Sequence, residues 1–322
     1  PQPGDATLEQ LVDQYAQMFA TGVRTPVFKR PDDCGMAFEE VTFPSLDGVP
    51  LEGWLIPADS DRLLIINHPM TCNRYGFPGH LPDYQVYFGG FEVNFLPEYK
   101  ALHDAGYNIL TYDLRNCGLS GQGNGGFSGL GLLEARDVVG SVRYARSRED
   151  LAGMKLGLFS RCMGGNSTII AMDLWPEEFE DVQALAVLNV VSGQTFVEQG
   201  ARNIGADPQE AVTRLSEKLL QTNGMRLAEE TPAPHAPAVK VPTLMAQLHR
   251  DFLIDADGDG QRNPQDIDDA ALATALLTLY QLTGFGLDEA VGLLDTALEH
   301  FADRDQPPLH RNGPAASNAC SK

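Results

Sequence analysis

The stretch "MKLGLFSRCMGGNSTIIAM", residues 154–172, decides the fold. Its first half is a short apolar run of the kind that forms a buried strand, and its second half is helix-like. The two meet at Cys162. A strand that turns directly into a helix strains the residue at the tip and packs its flanks closely, so only small side chains fit two positions before and two after. Around Cys162 those positions hold Ser160 and Gly164. Around Ser160 they hold Leu158 and Cys162, so the turn selects the thiol. A thiol at that tip lies at a helix N-terminus, where the dipole favours thiolate. A small buried cysteine in an ordinary strand-to-helix corner is the competing reading of the same residues.

Working outward, "RLLIINHP" (62–69), "YNILTYDL" (107–114), "QALAVLNVV" (183–191) and "VPTLMAQL" (241–248) are further apolar runs bounded by turn signals. They alternate with helix-like segments such as "EYKALHDAG" and "LLEARDVVGSVRYARS". Strands alternating with helices predict an α/β chain: a doubly wound, mostly parallel sheet with helices on both faces. Before it, "AFEEVTFPS" and "LEGWLIPA" alternate like strands around a turn, and residues 6–22 carry Leu8, Leu11, Tyr15 and Phe19 on one helical face. The spacing divides the chain into an N-terminal helical segment (1–36), a sheet domain (37–254) with a helical insertion at about 192–238, and an acidic extension (255–322). The insertion falls at the carboxyl ends of the strands, where it reads as a lid or as a surface excursion.

The 322 residues are 43% apolar and carry a formal charge of −21. That length buries one large core, and that charge repels nucleic acid and anionic membranes. No apolar run is long enough to span a bilayer. No charged and apolar leader opens the chain, so a cytoplasmic location is expected, although a first residue of proline is compatible with a cleaved leader. Five cysteines without a CxxC pair argue against a disulfide scaffold and a zinc ribbon. Cys72 and Cys117 fall in loops at strand ends with Cys162, as pocket lining, by coincidence, or as a three-thiol metal site. The glycine run "GQGNGG" (121–126) does not join strand to helix tightly and reads as a loop.

Over residues 37–250 the chain resembles the α/β-hydrolases. The resemblance rests on "INHPMT", "DLRNCGLSG", "FSRCMGG" and "VPTLMAQLHRDFL". Among them, dienelactone hydrolases and bile-acid acyl-CoA:amino-acid acyltransferases are similar in having cysteine at the turn. The resemblance implies a Cys162 nucleophile and an oxyanion hole from the N–H groups of Met163 and Met70, since Pro69 has none. It implies a triad acid at Asp251. The expected activity is hydrolysis of a small-molecule ester, lactone or thioester through an acyl-enzyme, needing no catalytic cofactor. Acyl transfer from the same thiol, or noncatalytic ligand or partner binding on the same scaffold, are the alternatives. The oligomeric state is not legible.

The family's base is a histidine after an eighth strand. Here the candidate strand, "LLTLYQL" (276–282), is followed by no histidine until His300. His300 is the candidate base, yet it lies off the apolar stripe of its helix-like segment, as a surface histidine would. His249, His68 and His80 border the site region, while His103, His235 and His310 read as surface, linker and tail.

"DADGDGQRNPQD" (255–266) resembles a calcium loop of the EF-hand or dockerin kind, with Asp255, Asp257, Asp259, Gln261 (through its carbonyl) and Asp266 as ligands. A bound calcium would be structural. An acidic surface turn is the other reading. The stretch that follows, 266–282, is helical by periodicity but also holds the last-strand candidate, and both readings stay open.

Overall fold

The computed structural model describes residues 3–21, 24–85 and 90–246. Asp251, His300, His249, the calcium-loop candidates Asp255, Asp257, Asp259, Gln261 and Asp266, and the helix-or-strand segment 266–282 lie outside the described residues.

The apolar runs form the strands expected of them. β1 (Glu39–Pro44) and β2 (Pro50–Ile56) make an antiparallel hairpin. β3 (Arg62–Asn67), β6 (Asn108–Tyr112), β7 (Lys155–Arg161), β8 (Val182–Leu188) and β9 (Thr243–Ala246) run parallel. Among the described residues the sheet has seven strands, in the order β1-β2-β6-β3-β7-β8-β9. A separate two-stranded ribbon pairs β4 (Gly76–Pro78) with β5 (Glu92–Asn94).

Successive side chains of a strand point to opposite faces. In β7, Leu156 and Leu158 join one core and Phe159 the other. The first core is covered by α3 (Ala135–Ser147) and α4 (Met163–Leu174), through Val138, Val142 and Ile170. The second is covered by α2 (Leu96–Asp104), through Leu96, Tyr99 and Leu102. Tyr75 and Phe77, which follow β3 in the chain, are fully buried in this second core.

Third comes a helical cap. α5 (Gly193–Asn203) and α6 (Pro208–Asn223) form the insertion, and α1 (Pro3–Thr21) packs against both. Leu8, Val12, Ala16 and Phe19 of α1 share one apolar cluster with Val197, Leu215 and Leu219. The chain thus joins its amino-terminal helix to a segment nearly two hundred positions later in one structure.

The chain leaves β3 for β6 on one side and later crosses to β7 on the other. In open α/β sheets such a reversal opens a crevice at the carboxyl ends of the strands. Met70 follows β3 and Cys162 follows β7, so the two flank that crevice.

Candidate active site

Cys162 sits between the last residue of β7 and the first of α4 with φ 47° and ψ −115°. Backbone in such a region costs about 1–3 kcal/mol for a residue with a side chain. Both ends of the residue are held: its N–H donates to the Leu188 carbonyl at 2.8 Å, and its carbonyl accepts from Asn166 N–H at 2.9 Å. A Cβ at Gly164 would lie 2.6 Å from the Asn67 carbonyl oxygen and 2.7 Å from that of His68, so nothing larger than glycine fits there without movement. Ser160 is buried two residues before the tip, with its hydroxyl 2.8 Å from that of Thr168. Asn67 Nδ2 donates to Ser160 Oγ at 2.9 Å, and Tyr112 Oη donates to Asn67 Oδ1 at 2.6 Å. This chain of hydrogen bonds is a satisfied polar floor beneath the turn, and it ties β6, β3, β7 and α4 together.

Cys162 is half-buried and not disulfide-bonded. It opens on a narrow apolar pocket of about 30 Å³ whose walls include Met70, Leu130, Met163, Phe19 and Phe196. No charged side chain lines that pocket among the described residues. Asn166 Nδ2 donates to the carbonyls of Leu130 and Val191, both at 2.9 Å, pinning two pocket loops onto α4. Met70 and Met163 both line this pocket with Cys162. Among the described residues, neither of their backbone N–H groups donates a hydrogen bond.

Two ionic clusters hold the loops at this end of the sheet. Asp113 accepts from Arg74 Nη1 at 2.7 Å and from the N–H groups of Arg74 and Leu119, joining the loops after β3 and β6. Arg115, fully buried, bonds Asp137 and Asp47, and its Nη1 reaches Asn124 Oδ1 at 2.5 Å. Asn124 belongs to the glycine run 121–126, which is therefore folded over the Arg115 side chain.

The described histidines do not line the pocket. His68 is fully buried and structural. Its Nε2 accepts from Leu114 N–H at 2.9 Å, so Nδ1 carries the proton and meets the Pro69 carbonyl at 2.8 Å. Burial lowers its pKa to about 4, which keeps the ring neutral. His80 packs on Phe28, and His103 bonds the Pro57 carbonyl. His235 pairs with Asp173 at 2.6 Å, toward the other end of α4, roughly 16 Å of helix from Cys162.

Cys72 and Cys117 are buried and outside the pocket lining; burial pushes both thiols up in pKa, as expected of inert structural cysteines. No cluster of three or more metal-binding side chains occurs among the described residues. No helix there is long and apolar enough to cross a membrane.

Arg161, adjacent to Cys162, was not singled out from the sequence. Its guanidinium lies 4.5 Å from the ring centres of both Phe95 and Phe159 and pairs with Glu98. Burial lowers its pKa to about 10, so it stays charged at neutral pH. The signal available in sequence was only its position beside the tip.

No family model matches the chain. A curated relative, the protein YfhR of Salmonella typhimurium, is 29% identical over 138 residues, which is 42% of this chain and 40% of that relative. The match thus spans well under half the length of that relative. Among solved structures, the esterase PF2001 of Pyrococcus furiosus is similar over 74% of this chain and 81% of its own, with a TM-score of 0.54 at 19% identity. A second crystal form of the same esterase gives 0.51 at 21% identity over the same shares. The strand order, the strained residue after β7, the cap over the crevice and that structural likeness agree: this chain has the α/β-hydrolase fold.

Proposed function

We propose that this protein hydrolyses a carboxylic ester, lactone or thioester through an acyl-enzyme on Cys162. The observation that carries the reading is the strained backbone of Cys162 in the lining of the apolar pocket. That strain costs stability, and the fold holds it at the place where a nucleophile is presented.

In this reading the Cys162 sulfur attacks the carbonyl carbon. The carbonyl oxygen takes the negative charge and is stabilised by the N–H groups of Met70 and Met163, which lack acceptors among the described residues. The carbonyl re-forms, the bond to the leaving oxygen or sulfur breaks, and the leaving group takes a proton. Water then attacks the acyl-thiol, releasing the acid and restoring the thiol. Asp251 and His300 are the proposed acid and base of this cycle. A thiolate needs a base less than a serine hydroxyl does, so attack can precede any contribution from histidine. An amine or thiol acceptor in place of water turns the same cycle into acyl transfer.

The test is acylation by p-nitrophenyl acetate, followed by intact mass and by release of nitrophenolate. The parent chain should gain an acetyl group on Cys162 and turn over, and Cys162→Ala should do neither. Equal labelling of both would leave a noncatalytic binding protein as the better reading. Hydroxylamine or an amino acid added to the reaction separates transfer from hydrolysis by its product.

A structural calcium held by Asp255, Asp257, Asp259, Gln261 and Asp266 is part of the proposal. Four carboxylates converging on one point repel without a cation, so calcium stabilises the fold by mass action. Millimolar calcium should raise the melting temperature of the parent chain and leave Asp255→Ala unchanged. A parent that ignores both calcium and chelator has an acidic turn there instead.

A further inference from the structure

The pocket beside Cys162 has walls of two origins. Met70, Leu130 and Met163 come from the sheet domain, at the carboxyl ends of its strands and the start of α4. Phe19 and Phe196 come from the cap, one from α1 and the other from α5. The two rings lie 5.8 Å apart between centres, tilted by 57°. Tyr15 sits one helical turn before Phe19 on the same face of α1. Its ring stacks on Phe19 at 5.9 Å and meets Phe196 at 5.2 Å. Behind this trio, Gly200 of α5 faces the Tyr15 ring, and any side chain at 200 would overlap the Tyr15 hydroxyl. Gly200 thus leaves room for the tip of the Tyr15 ring against α5, and three aromatic rings fill the junction between the two helices.

We propose that Phe19 and Phe196 set the length of the acyl chain, closing the pocket so that Cys162 accepts short, uncharged aliphatic acyl groups. This deepens the reading of Cys162 as the reacting atom and rests on it. The volume, about 30 Å³, is room for about two waters, and so for an acetyl-sized group rather than a long chain. The absence of charged side chains from the described lining disfavours an anionic acyl group, whose desolvation would go uncompensated. The rings belong to the cap and not to the sheet, so the limit on length resides in a part that does not build the nucleophile's turn.

The proposal is tested without requiring ester turnover. Methyl, butyl and octyl methanethiosulfonates react with a thiolate to give an alkyl disulfide and release methanesulfinate. The rate of labelling is read on the Cys162 peptide by mass, which separates it from the other cysteines. In the parent chain the methyl reagent should label at least tenfold faster than the octyl one. Phe196→Ala and Phe19→Ala should cut that ratio several-fold by raising the octyl rate, and Phe196→Leu, the milder change, should fall between. p-Nitrophenyl acetate and octanoate then report the same ladder in turnover. A parent ratio near one, or a ratio unchanged in all folded variants, overturns the proposal. A length-dependent ladder at Cys162 with no cleavage of either ester overturns the hydrolase reading and leaves the length limit standing.

Discussion

The molecule begins its helices in two ways. In the cap, α5 and α6 start on side chains that close the first turn. Ser192 Oγ accepts from Thr195 N–H at 3.1 Å, and the Asp207 carboxylate accepts from Glu210 N–H at 2.9 Å. α4 starts on Cys162, which makes no such bond, and its first turn holds no acidic residue. The first N–H groups of a helix are orphan donors until something accepts them, and a side-chain cap contributes about 1 kcal/mol. The cap is thus apolar inside and closed at the starts of α5 and α6. At the sheet end the loops are clamped by buried ions, while the helix at the thiol stays open. α2 and α3 also start without a side-chain cap, but on residues with ordinary negative φ, whereas α4 combines its open start with the positive φ of Cys162, so the stability is given up at the tip.

The sharpest way to break that contrast is to remove a clamp. Arg115 is fully buried and bonds Asp137 at 2.8 and 2.9 Å and Asp47 at 2.6 Å. Arg115→Met keeps the bulk but strands the Asp137 carboxyl in the core. Burial already raises that group to about 7, with Arg115 holding it down. Breaking one side of a buried pair costs about 3–5 kcal/mol, so denaturant unfolding should show a loss of that size. A loss under about 1 kcal/mol would mean that packing, not charge, holds the sheet end.

At the seam between the two regions lies an exception. Glu230 is fully buried, and among the described residues its two carboxyl oxygens have no hydrogen-bond partner. Its own carbonyl accepts from Gly193 N–H at 3.0 Å, at the start of α5, so it sits where the cap joins the pocket. Burial, and then the charges of Glu134 and Glu229, raise its pKa from 4.5 to about 8. The unfolded chain loses this proton near 4.5 and the folded chain near 8. Stability therefore falls as pH rises between those values, by up to about 1.4 kcal/mol per unit, and is level beyond them. Glu230→Gln cannot ionise and should remove that slope, gaining on the order of 3 kcal/mol at pH 7. The difference between the two stability curves isolates this group from His68, whose lowered pKa acts in the opposite sense between 4 and 6.5. Parallel curves would mean that Glu230 has found a partner or water.

Much of the sheet was legible because its signal is local. A run such as "RLLIIN" can only be a buried strand in a chain with this alternation, and small residues flanking Cys162 follow from one turn's geometry. The partner of α1 was not legible. Its apolar face, Leu8 to Phe19, could be read, but nothing near it names a helix nearly two hundred residues later as the surface it covers. The Arg115 cluster was hidden for a different reason: Asp and Arg in a glycine-rich loop read as solvated, and charged groups are buried only when a distant partner makes burial tolerable. His68 bordered the site in sequence, yet its two nitrogens are committed to the Leu114 N–H and the Pro69 carbonyl, contacts that hydropathy does not encode.

The smallest expected effect addresses the tip itself. If the fold tolerates strain at Cys162 for the sake of presenting the sulfur, removing the sulfur should leave the strain behind, and removing the Cβ should relieve it. Cys162→Ala and Cys162→Gly both lose the thiol, so both should fail to acylate. They differ in backbone. Alanine keeps the clash that makes φ 47°, ψ −115° unfavourable, at about 1–3 kcal/mol. Glycine escapes it but loses about 0.5–1 kcal/mol through the greater freedom of the unfolded chain. The balance puts Cys162→Gly about 1 kcal/mol above Cys162→Ala in denaturant unfolding. Equal stabilities, or a more stable alanine variant, would mean that the tip relaxes at little cost, and the open start of α4 would then be no evidence that stability was given up there.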